Sequence, residues 1–212
     1  MDEFKTDEAA ALTQGSAAPP RWTGAPSIEL AHQLNVQGVE LICELAVSPN
    51  PTLPAFVLQN RDLWRLLEPE ARQRVAAFPF VIVDLRFKDE DWWRQISGRV
   101  SMSPAEFPSF GDLALETLLF ARQSAREDVN VAKAMFAVTS TVANLIASLT
   151  LTQVRAIAVG NTSELRFRWD NDPELWRDLL IVSRSGESQA LAAIRRQAKL
   201  LFCGEFLLSL DR

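Results

Sequence analysis

Two short stretches of this chain concentrate the residue types that bind other macromolecules. Arg86, Lys88, Trp92, Trp93 and Arg94 stand together in the first, and Arg166, Arg168, Trp169, Trp176 and Arg177 in the second. Trp buries a large rigid surface and Arg pairs bidentately with carboxylate or phosphate, so both types are enriched at the energetic centres of interfaces. Partner binding is therefore expected at Arg86, Trp92, Trp93, Arg94, Arg166, Arg168, Trp169, Trp176 and Arg177. The same residues serve a second reading equally well, in which the tryptophans complete a core and the arginines pair with nearby aspartates. Arg195, Arg196 and Lys199 form a smaller basic patch on the polar side of the last helical segment. They are the candidates for nucleic-acid contact, because a few cations suit a salt-sensitive phosphate contact, though they do not read bases alone.

Catalysis has no visible apparatus. The chain has one histidine, His32, on an opening helix beside Gln33-Leu34-Asn35, where it reads as a surface or packing residue. Neither Cys43 nor Cys203 has a Cys or His neighbour at metal-ligand spacing, so no metal and no cofactor are expected. No glycine-rich phosphate loop and no Gly-x-Ser-x-Gly turn occurs. The carboxylates of Asp89, Glu90 and Asp91, and of Asp170 and Asp172, precede the Trp-Arg segments and read as helix N-terminal caps. No catalytic residue and no small-molecule substrate are assigned.

Composition supports a globular binding protein. The chain is 48% apolar and 23% charged over 212 residues, in the range of folded domains. No apolar run approaches the roughly 20 residues that span a bilayer, since Asp84, Arg86 and Lys88 interrupt the most apolar stretch, Phe78 to Phe87. Asp2, Glu3, Asp7 and Glu8 occupy the place where a secretory signal carries Lys or Arg. Both cysteines sit in apolar helical patterns and read as buried free thiols. A cytoplasmic location and no membrane association are expected. The net charge of −5 argues against a whole-surface attraction to nucleic acid, so any DNA contact is local or shared with a partner.

The elements that must position the Trp-Arg segments repeat. Residues 1–27 form a leader without helical periodicity, expected to be flexible, in which Trp22 alone could dock. Residues 98–111, with Gly98, Pro104, Pro108 and Gly111, form a linker. On either side lie two similar units, 28–97 and 112–212. Leu85-Arg86-Phe87 followed by Trp93-Arg94 matches Leu165-Arg166-Phe167 followed by Trp176-Arg177. Upstream, Pro69 opens one short helix and a Thr150–Gln153 capping box opens its counterpart. Ala55-Phe56 corresponds to Met135-Phe136, and the amphipathic stretches Ile28–Val47 and Leu113–Arg126 correspond as well. After the second unit, Leu191, Ile194, Ala198, Leu201, Phe202 and Phe206 mark one face of a final helix. The stretch 149–168 offers a helix and a turn at Gly160-Asn161. Leu165 to Trp169 then alternates as an extended segment, which disfavours a recognition helix.

In the second unit, Leu118-Leu119-Phe120-Ala121, Ala134-Met135-Phe136, Leu149-Thr150-Leu151-Thr152-Gln153, Asn161 and Phe167-Arg168-Trp169-Asp170 follow one another in an order that resembles the FlhD family of flagellar master transcriptional regulators. The first unit is similar more weakly, through Gln33-Leu34-Asn35, Leu45-Ala46-Val47 and Leu85-Arg86-Phe87. The resemblance implies an all-α fold in which two tandem FlhD-like helical repeats pack as an intertwined pseudo-twofold dimer within one chain. It further implies transcriptional regulation in complex with a second regulator subunit resembling FlhC, which would supply zinc and much of the DNA contact. The intersubunit cysteine of the family would fall near Leu165, where this chain has none, so that disulfide does not carry over. A helical adaptor or chaperone of a secretion or motility system, which never touches DNA, is the alternative.

Overall fold

The computed structural model describes residues 25–49, 53–97 and 108–210. The expected leader falls outside them up to residue 24, as does the expected linker over 98–107. Among the described residues eleven helices account for nearly all regular structure. Two long helices, α1 (Ala25–Val47) and α6 (Pro108–Glu127), lie against each other at the centre. Each is followed by three short helices packed on it. These are α2 (Ala55–Gln59), α3 (Arg61–Arg65) and α4 (Pro69–Ala76) for α1, and α7 (Val129–Phe136), α8 (Ser140–Ser148) and α9 (Leu151–Gly160) for α6. A two-residue strand follows each set, β1 (Val83–Asp84) and β2 (Arg166–Phe167), and then a helix bearing Trp-Arg, α5 (Glu90–Ser97) or α10 (Pro173–Ser185). The last helix, α11 (Ser188–Leu210), rests on α10.

Both inner boundaries differ from the sequence expectation. Helix α1 begins at Ala25, inside the expected leader, and α6 begins at Pro108, inside the expected linker. Proline lacks an N–H and fixes φ near its helical value, so it opens a helix as readily as it ends one.

Capping explains the short helices. Thr150 and Gln153 form the full reciprocal box at the start of α9. Thr139 caps α8, Asp128 caps α7 and Asp172 caps α10, each accepting a backbone N–H. Helix α10 ends on Gly186 at φ 70°, a left-handed position that costs glycine nothing.

The interior joins the two halves. Helix α5 packs on α8 and α9, across the molecule from the helices it follows, whereas α10 packs on α2, α3 and α4. The strands pair antiparallel, Val83 with Phe167 and Asp84 with Arg166. Gly38 lets α1 cross this ribbon closely, since a Cβ there would lie 2.9 Å from the Phe167 ring and 3.3 Å from Val83. Asn35, fully buried, donates to the carbonyls of Ala76 and Phe80 and accepts from Ile82 N–H, which holds the segment entering β1.

Candidate partner and nucleic-acid surfaces

The two Trp-Arg segments are built alike. Arg86 (φ 50°) and Trp169 (φ 57°) take the left-handed conformation immediately beyond the ribbon. Three residues later an aspartate caps the next helix: Asp89 accepts from Trp92 N–H at 2.9 Å, and Asp172 from Leu175 N–H at 3.0 Å. The tryptophan that follows then donates its indole N–H back to the turn, Trp93 to the Arg86 carbonyl and Trp176 to the Arg168 carbonyl, both at 3.1 Å. Arg86 and Trp169, Asp89 and Asp172, Trp93 and Trp176 thus share one constant separation. It is three residues longer than the separation of Leu85-Arg86-Phe87 from Leu165-Arg166-Phe167. The identical tripeptides are therefore not in equivalent positions. The turn geometry, which depends on caps and backbone, overrides the local sequence match.

These bonds hold Trp93 and Trp176 inside, whereas Trp169, whose buried indole N–H has no hydrogen-bond partner, is held by packing against Phe78 and Phe80. Trp93 and Trp176 are fully buried and Trp169 is nearly so. Trp176 packs on Phe56 and Trp64 at 5.2 and 5.5 Å, and Phe87 stacks on Trp93. Arg168 is also buried, donating to the Val81 and Phe136 carbonyls, with its guanidinium 4.8 Å from the Phe202 ring. These four residues complete the core and offer no exposed surface to a partner in this structure.

The remaining five keep some exposure. Arg86 binds Asp89 at 2.6 Å and Glu164 at 3.4 Å and lies over the half-buried Trp92 ring. Arg94 pairs with Glu90 and Asp91 on the outer face of α5. Arg166 is exposed opposite Asp84 on the ribbon, and Arg177 is exposed beside Asp178. The Arg86–Glu164 pair brings the two segments together around the ribbon. Close by, burial raises the pKa of the Asp170 carboxyl, with Arg166 opposing the shift and Asp84 adding to it.

The basic patch on α11 divides. Arg195 is half-buried and donates to the Arg74 carbonyl at 2.7 Å, so it fastens α11 to α4, and its burial lowers its pKa. Arg196 and Lys199 stand exposed. Among Arg166, Arg168, Arg195, Arg196 and Lys199, Arg168 is interior and Arg195 is tied, which leaves Arg166, Arg196 and Lys199 at the surface.

Two surface features carry no motif and were not legible in the sequence. The exposed sides of α1 and α6 bear Glu29, Glu40, Glu44, Asp112 and Glu116, and a cleft of about 260 Å³ lies between these helices. A groove of about 370 Å³ runs between α4 and α10, lined by Leu66, Glu68, Ala71, Arg74, Ile181, Arg184 and Ser185. Helical spacing assigns residues to a face but does not say which helices meet there.

Among the described residues no three His, Cys, Asp or Glu side chains are grouped to hold a metal, and no single helix is long and apolar enough to cross a membrane. No curated protein and no solved structure matches the chain. Residues 102–205, from just before α6 well into α11, match the family model described as Flagellar transcriptional activator (FlhD). That segment, just under half of the chain, belongs to the FlhD family of transcription regulators.

Proposed function

We propose that this chain is a transcriptional regulator or coregulator built as an intertwined pseudo-dimer of two FlhD-like repeats, 28–97 and 112–212, which acts as a scaffold for a partner regulator subunit and DNA. The observation that carries the reading is the reciprocity of the ribbon. At the constant separation of the two turns, Val83 corresponds to Arg166 and Asp84 to Phe167. Val83 pairs with Phe167 and Asp84 with Arg166, so each residue meets the counterpart of its neighbour. A two-fold axis produces that pattern in a homodimer. The exchanged packing of α5 and α10 supports it.

A scaffold of this kind fixes the spacing of whatever binds its two ends. Arg86, Trp92, Arg94, Arg166 and Arg177 are the members of the Trp-Arg segments available to a partner, which resembles FlhC in this reading. Arg196 and Lys199, with Arg195 behind them, supply a phosphate contact only within the complex. The role is cytoplasmic.

Mass in solution, followed by titration against promoter DNA at two salt concentrations with and without proteins encoded nearby, tests the proposal. A single chain of 23.7 kDa that binds DNA only beside a second protein supports it. A two-chain particle sinks the pseudo-dimer. The acidic outer sides of α1 and α6 favour a second reading, a helical adaptor or chaperone of a secretion or motility system. Capture of a protein partner with no DNA binding at low salt selects that one.

A further inference from the structure

We infer that the groove between α4 and α10 is the docking site of this chain's own acidic N-terminal segment, Asp2 to Glu8. The groove is lined mainly by polar surface, with Leu66 and Ile181, 57% and 48% exposed, among its lining side chains beside Arg184, a single carboxylate, Glu68, and Arg74, whose Nε donates to the Ser183 carbonyl at 2.7 Å. A short acidic segment complements the guanidinium groups, and one bulky apolar side chain within it can cover Leu66 and Ile181. Asp2-Glu3-Phe4-Lys5-Thr6-Asp7-Glu8 has that composition.

Reach and charge both favour an intramolecular contact. The start of α1 lies beside α4, because His32 contacts Gln73 and the Ala76 carbonyl. Residues 9–24 connect Glu8 to α1, and a chain of that length extends to roughly 50 Å at about 3.3 Å per residue. A tether of this size holds the segment at an effective concentration on the order of millimolar, so even a weak contact is populated. The main competing surface, α1 with α6, carries Glu29, Glu40, Glu44, Asp112 and Glu116 and repels the segment. Docking covers Leu66 and Ile181, and a protein that uses the groove must displace the segment first. The inference does not depend on the regulator reading.

The test uses the full chain with Phe4 replaced by the photo-crosslinker p-benzoylphenylalanine, irradiated in dilute solution and mapped by mass spectrometry. Crosslinks within one chain to 66–74 and 181–185 are expected. Arg184→Glu should cut their yield roughly fivefold, the scale of one surface charge pair, and Asp2→Lys with Glu3→Lys should restore it in the Arg184→Glu background. Crosslinks to the α1–α6 side, crosslinks only between chains, or a yield indifferent to Arg184→Glu each overturn the inference. Retention of the wild-type unfolding transition by Arg184→Glu keeps a folding defect from mimicking the loss.

Discussion

The Arg168 guanidinium lies 4.8 Å from the centre of the Phe202 ring, so a buried cation of the ribbon segment fastens the last helix of the chain. Phe202 also stacks on Phe80 at 3.9 Å, and Arg168 donates to the Val81 and Phe136 carbonyls. Arg168→Met keeps the bulk but orphans two buried carbonyls, and should destabilise the fold by about 2–4 kcal/mol in urea unfolding. Phe202→Ala should cost about 3 kcal/mol. If the cation and ring interact, the double variant loses less than the sum of the two, by about 1 kcal/mol. Full additivity would show that they merely share a location.

Gly38 and Asn35 act one turn apart on α1. A Cβ at position 38 would press on the Phe167 ring, which is buried in the ribbon. Gly38→Ala gains helix propensity worth about 1 kcal/mol and loses about 1–3 to overpacking, so a net loss is expected in thermal unfolding. Asn35→Ala removes three hydrogen bonds from the segment entering β1 and should cost more, about 3 kcal/mol. A Gly38→Ala protein more stable than wild type would mean that the ribbon gives way.

The sequence makes the helices, caps and extended segments legible because they depend on near neighbours. The Thr150–Gln153 box, the Pro69 start and the Asp89 and Asp172 caps are each set within one turn of chain. What reads less well is anything decided by distant contact. Trp92 and Trp93 are adjacent and alike in type, yet one is half-exposed and the other is core, because the Trp93 indole is claimed by the Arg86 carbonyl. Arg166 and Arg168, two residues apart, would share one face of a continuing strand, yet the first is exposed and the second buried, because β2 ends at Phe167 and the chain turns at Trp169. The identical Leu-Arg-Phe tripeptides stand three residues out of structural equivalence, because identity at short range says nothing about which residue turns left-handed.

Asp170 provides a test by pH. Its folded pKa is raised, first by burial and then by Asp84, with Arg166 lowering it. The folded protein therefore holds that proton more tightly than the unfolded chain, and the contribution is present below the ordinary carboxylate range and lost as pH rises through the folded value. Asp170→Asn removes the penalty and should be at least as stable as wild type at pH 7, with the difference shrinking on acidification towards pH 4. A variant less stable at pH 7 would mean that the carboxylate makes a compensating contact. Arg166→Glu should act in the opposite sense, since it adds a third carboxylate beside Asp84 and Asp170.

Cys43 provides a second test by pH, on the alkaline side. The thiol is buried on α1, and burial pushes its pKa to about 11 from an ordinary 9.0, with Glu40 and Glu44 adding to the shift and Arg72 opposing it. Because the folded value is the higher, stability is fully present below about pH 9 and falls as pH climbs through about 11, by on the order of 2–3 kcal/mol for this group. Cys203, partly exposed on α11, should react first with a thiol reagent at pH 8, while Cys43 reacts at the rate of unfolding. Cys43→Val should flatten the loss between pH 9 and 11 and leave the neutral transition nearly unchanged, since valine fills a similar apolar space. If the alkaline loss persists in that variant, another group governs it and the thiol is a bystander.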